Sequence, residues 1–114
     1  VAASNFLVAA ITHAKSLANQ AGIEPELFLP PIILTAVENC LNTLDADIPP
    51  LTGPISRGDT HTVSHHIDAL ADTTDIQTSY KYFSNATATI AYSYAMISQQ
   101  QHDSLRAILD TQHS

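Results

Sequence analysis

The sequence predicts an all-α fold of about five helices. Apolar residues recur at spacings of three and four along most of the chain, and no segment sustains the alternation of a strand. Only 3 glycines occur in 114 residues, too few for a turn-rich β architecture. The length corresponds to a single helical domain over residues 1–114, long enough to bury a core.

The first helix is expected over residues 1–21. Ala3, Leu7, Ala10, Ala14, Leu17 and Ala21 share one face. Phe6, Val8 and Ile11 make its first half apolar on most sides, as in a central helix. Gly22 is a natural stop because it tolerates left-handed backbone. Pro25 suits a first helical turn, with Glu24 and Glu26 near the positive end of the dipole. Pro30 and Pro31 are expected to break or kink that helix, leaving a second long helix over residues 31–44. Its buried stripe is Ile33, Val37, Cys40 and Leu44, which makes Cys40 a small core residue.

Residues 45–58 carry three of the six prolines and two of the three glycines, and read as a long loop of the kind that often holds function. Asp59 is a good N-cap for a third helix over residues 60–71, with Val63, Ile67 and Leu70 inward. Thr73 or Thr74 caps a fourth helix running to Ser98. Its large stripe is Ile76, Tyr80, Phe83, Thr87, Ile90, Tyr94 and Ile97. A second seam of small residues, Ser84, Ala88, Ala91, Ala95 and Ser98, lets another helix approach closely, so this helix packs on two sides. A last short helix is expected over residues 103–111.

Composition excludes several functions. A net charge of −7, with 4 basic residues, is unsuited to neutralising a phosphate backbone, so no nucleic-acid partner is expected. No apolar run reaches the roughly 20 residues of a membrane span, and no signal-peptide pattern is present. One Cys makes no internal disulfide, which fits a reducing, cytoplasmic setting. The chain opens at Val1, in mid-helix by pattern, as a fragment of a longer protein would.

Few local motifs carry chemistry. Neither G-x-G-x-x-G, a Walker A sequence, C-x-x-C nor H-E-x-x-H is present, and no carboxylate pair stands out. His61 and His65 are four apart, a spacing that can chelate a metal, but no third ligand completes a recognisable set. The pair therefore reads as solvent-facing, and no metal site is expected. His66 lies nearer the inward face. Arg57-Gly58-Asp59 reads as a turn leading into a cap. For Arg57 two readings stay open: an anion clamp beside a helix N-terminus, or a structural partner for loop carbonyls or a nearby Asp.

The run Leu51-Thr52-Gly53-Pro54-Ile55-Ser56-Arg57-Gly58-Asp59, then Thr62-Val63 and His66-Ile67-Asp68-Ala69-Leu70, looks like a family signature. With the opening Ala3-Ser4-Asn5-Phe6-Leu7-Val8 and the Gly22-Ile23-Glu24-Pro25 turn, it resembles the C-terminal helical domain of Rossmann-like proteins carrying the domain of unknown function 2520. The resemblance implies a helical bundle like the C-terminal domain of 6-phosphogluconate dehydrogenase. It implies a dimerisation and substrate-binding domain of an NAD(P)-dependent oxidoreductase-like protein, with a homodimer as the assembly. NAD(P) would belong to an N-terminal Rossmann domain outside this chain, so no cofactor-binding residue is expected here and the isolated domain would not catalyse. The substrate-site candidates it implies are Ser4, Asn5, Thr52, Gly53, Pro54, Arg57, Asp59 and His66. Related hydroxyacid dehydrogenases carry a catalytic Lys in a K-x-x-N-N pattern. With Asn5 as the last Asn, Val1 occupies the Lys position, so no catalytic residue is assigned. The alternative from a different class is a stand-alone helical interaction module without activity.

Overall fold

In the computed structural model, residues 1–110 are described, and they form five α-helices with no strand among them. Helix α1 spans Ala2–Gln20, α2 Pro25–Asn42, α3 Thr60–Ala69, α4 Thr74–Ser93 and α5 Gln99–Leu109. A single 3-10 turn, Ile55–Arg57, precedes α3. The chain divides into two units, Val1–Ala46 and a second beginning at Asp47.

The first unit is a hairpin of α1 packed on α2. Gly22 ends α1 at φ 73°, with its N–H on Asn19 O and the Ile23 N–H on Ala18 O. These two bonds satisfy carbonyls that a helix end leaves open. Contrary to expectation, α2 runs unbroken through Pro30 and Pro31. Each proline removes the N–H that would reach the carbonyl four residues back, at Glu26 and Leu27. Both of those residues are exposed, so water can serve the released carbonyls. The expected inward stripes are also corrected. Ala18 and Pro25 are the buried residues of these helices, whereas Leu44 is 77% exposed and Cys40 lies on the surface. A two-helix hairpin has too little interior to hide both apolar faces.

The second unit has a core. Val63 of α3, Ala88 and Ala91 of α4, Ile97, and Leu105 and Leu109 of α5 are buried together. Leu51, Ile55, Ile67, Tyr80, Met96 and Ile108 pack around them. Helix α4 buries its small seam, Ser84, Ala88 and Ala91, rather than its large stripe. Short side chains let α5 approach closely, and Phe83, Ile90 and Tyr94 are left substantially exposed.

Helix α4 is shorter than its periodicity suggests. It stops at Ser93, where Ala95 takes the left-handed conformation at φ 57°. The Ala95 N–H reaches Tyr92 O and the Met96 N–H reaches Ala91 O, the same pair of bonds that Gly22 organises. An alanine there carries a steric cost of about 1–2 kcal/mol. The chain then restarts earlier than expected. Ser98 accepts from the Gln101 N–H, and the Gln101 side chain accepts from the Ser98 N–H, a reciprocal cap that starts α5 at Gln99. The expected end of this helix, Thr111, lies outside the described residues.

Candidate functional site

The Leu51–Asp59 signature folds into a tight knot at the entrance of α3. Pro54 opens the 3-10 turn, and the Ser56 hydroxyl donates to Gly53 O at 2.9 Å. Gly58 closes the turn at φ 70°, and the Asp59 N–H returns to Pro54 O at 2.9 Å. Leu51 and Ile55 anchor this knot on the core. Gln101 of α5 covers it, reaching Arg57 O at 3.5 Å. A Cβ on Gly58 would meet only the flexible Gln101 side chain, so it is the left-handed φ that calls for glycine there.

Asp59 caps α3 as the sequence indicates. Its carboxylate accepts from the Thr62 N–H at 3.1 Å and from the Thr62 hydroxyl at 2.7 Å. The Thr62 hydroxyl, then the Thr62 N–H, hold its carboxyl below the usual Asp range, with smaller help from the Arg57 and His61 charges. A depressed carboxyl contributes stability above its unfolded value and loses it as pH falls through the folded one. Asp59→Asn should therefore keep most of the cap at neutral pH while flattening the decline of the urea midpoint below about pH 4. An unchanged acid limb would mean that Asp59 titrates alike in both states.

Arg57 presents its guanidinium beside this cap. Its side chain is 63% exposed, and its contact with Asp59 is a long 4.0 Å ion pair. Such a pair is worth little in water, so the guanidinium remains open to an incoming anion. His66 is exposed, and its Nδ1 is hydrogen-bonded to the Tyr80 hydroxyl at 2.9 Å. The rings meet edge to face. Burial raises the Tyr80 pKa, against a smaller opposing effect from Ser84, so the phenol stays protonated.

The other candidates are placed as follows. Thr52 is exposed, Gly53 and Pro54 are half-buried in the knot, and Thr52 to His66 all belong to the second unit. Ser4 and Asn5 lie in the first unit, on the exposed opening turn of α1, where the Ser4 hydroxyl donates to Val1 O. Three polar residues beyond the sequence candidates also shape the second unit: Tyr80, Gln101 and His102. The S-x-x-Q spacing of Ser98 and Gln101 was a readable signal for the cap. His102 had none. It is buried and stacked on Tyr92 with ring centroids 4.6 Å apart, and its Nε2 has no hydrogen-bond partner among the described residues. It borders an open groove of about 700 Å³ with Asn85, Thr89, Asp103 and Arg106.

The first unit offers a different surface. Phe6, Val8, Leu27, Phe28, Ile32, Leu34 and Leu41 are each more than half exposed. Between α1 and α2 run apolar grooves, one lined by Leu17, Ile23, Phe28 and Ile32, another by Leu7, Ile11, Ile33 and Val37. Among the described residues no helix is long and apolar enough to cross a membrane. No curated protein and no solved structure matches the chain. A family model described as "Domain of unknown function (DUF2520)" matches residues 1–87.

Proposed function

Because the chain belongs to the DUF2520 family, we propose that it is the helical dimerisation and substrate-binding domain of an NAD(P)-dependent oxidoreductase-like protein. The observation that carries the dimerisation half is the α1–α2 hairpin. It exposes most of its large apolar side chains and buries only Ala18 and Pro25. Exposed apolar surface on this scale marks an association site, and a twofold pairing covers it with identical surface.

The substrate half rests on the Arg57 knot. A mostly exposed guanidinium stands at the N-terminus of α3, where the helix amides also favour negative charge. Arg57 would bind an anionic group of the substrate, and the Gly53–Pro54 turn, Gly58 and Gln101 would hold its backbone in place. NAD(P) itself would be held by an N-terminal Rossmann domain that this chain does not contain, and it would supply the hydride chemistry.

The experiment uses the protein that carries both domains. Arg57→Ala should weaken the substrate anion by tenfold or more while leaving NAD(P)H affinity unchanged, since charge-assisted hydrogen bonds are worth about 1.5–3 kcal/mol. Equal substrate affinity in the variant would remove Arg57 from the site. Failure of the complete protein to bind NAD(P)H would overturn the oxidoreductase reading and leave an interaction module.

A further inference from the structure

We propose that His61 and His65 form a two-imidazole clamp for a divalent transition-metal ion, with Cu²⁺ preferred over Ni²⁺ and Zn²⁺. This inference is independent of the proposed function, since neither residue belongs to the Arg57 knot or to the apolar hairpin.

The geometry points to this site. The two residues lie one turn apart on α3, both exposed, with ring centroids 4.5 Å apart and planes inclined by 55°. A metal bound to an imidazole nitrogen at about 2.0–2.1 Å lies roughly 3.2 Å from the ring centre. An ion in line with a nitrogen of each ring would see the two ring centres, at the observed separation, about 90° apart. That angle fits adjacent positions of a tetragonal or octahedral ion better than the wider tetrahedral angle of Zn²⁺. Cu²⁺ also heads the affinity order for nitrogen donors.

The surroundings are compatible with a cation. The Asp59 carboxylate interacts electrostatically with His61, and the chain carries a net charge of −7. Among the described residues no group of three or more His, Cys, Asp or Glu side chains is placed to hold a metal. The site is therefore bidentate. Water, or a donor from another molecule, fills the remaining positions.

The test is a titration of the full chain with CuCl₂, read by isothermal calorimetry and by electron paramagnetic resonance, with NiCl₂, ZnCl₂ and MgCl₂ in parallel. One Cu²⁺ should bind per chain with a two-nitrogen signature, Ni²⁺ and Zn²⁺ more weakly, and Mg²⁺ not at all. Chelation makes the second ring's binding intramolecular, so His61→Ala or His65→Ala should each weaken Cu²⁺ on the order of 10²-fold. His66→Ala, on the same helix but paired with Tyr80, should change it little. Because the clamp exists only in the folded helix, Cu²⁺ should raise the thermal midpoint of the wild type and not of the two clamp variants. Cu²⁺ affinity unchanged in both clamp variants, or lost equally in His66→Ala, would overturn the proposal. Both clamp residues are exposed, and circular dichroism checks that the variants remain folded.

Discussion

On the proposed pairing of copies, Ile32→Asp is expected to convert a dimer to a monomer without unfolding the chain. Ile32 is 63% exposed and lines the groove between α1 and α2 with Leu17, Ile23 and Phe28. Within one chain the substitution therefore removes little packing. Across a twofold interface it places a carboxylate into desolvated apolar surface on both copies at once. An interface residue of this kind is worth at least about 2 kcal/mol, so the dissociation constant should rise by 30-fold or more. Light scattering across a concentration series reads the mass, with 12.2 kDa as the chain mass. Asn39→Asp, an exposed polar position on the same helix, is the control for added charge and should leave the dimer intact. A wild type that stays monomeric at tens of micromolar would overturn the pairing of copies. Retained helicity in the variant would show that dissociation, not unfolding, is being measured.

The same hairpin shows where sequence reasoning stops. Periodicity placed α1 and α2 correctly as helices, since 3.6-residue spacing is a property of the helix itself. It also assigned α2 a buried stripe that included Cys40 and Leu44, both of which are exposed. An apolar stripe states that a face needs cover, not that the cover comes from the same chain. Phe83 and Ile90 on α4, with Tyr94 just past its end, carry the same lesson, because their periodicity is the cleaner one and yet the alanine seam beside it is buried.

The two ends of the α4–α5 turn differ in legibility for a chemical reason. Gly22 announces its left-handed turn because glycine alone adopts it without strain, whereas Ala95 adopts it with no compositional mark. The S-x-x-Q spacing of Ser98 and Gln101 marks their cap, but the expected fourth helix was carried on to Ser98 by the stripe that ends at Ile97. The Arg57 knot was legible as a turn and as a cap. Its brace was not, since Gln101 lies 44 residues away from Arg57 in sequence and only tertiary structure brings the two together. His66 was read inward from its helical position. It is exposed instead and pairs with the Tyr80 hydroxyl, 14 residues on in sequence.

Leu105→Ala is expected to cost 2–5 kcal/mol, the largest effect of any single truncation argued for this chain. Leu105 is fully buried among Val63, Ala88, Ala91, Ile97 and Leu109. Four of those neighbours are small or β-branched, so the site can collapse only partly and a cavity adds to the lost transfer energy. Among the described residues, Leu109 and Val63 are the other large side chains that are fully buried. A domain of this size has only a modest margin of stability, and a loss on this scale removes much of it. Leu105→Met conserves volume and should cost less than about 1.5 kcal/mol, separating a packing effect from a general intolerance of the position. The loss should reach the candidate site. Leu51 and Ile55 seat the Arg57 knot on this core, and Gln101 braces it from the helix that carries Leu105. Trypsin should therefore cut after Arg57 faster in Leu105→Ala than in Leu105→Met, in proportion to the fall in urea midpoint. Rapid cleavage there in the wild type as well would mean that the knot opens independently of the core, and Arg57 would then lack the rigid support that anion binding requires of it.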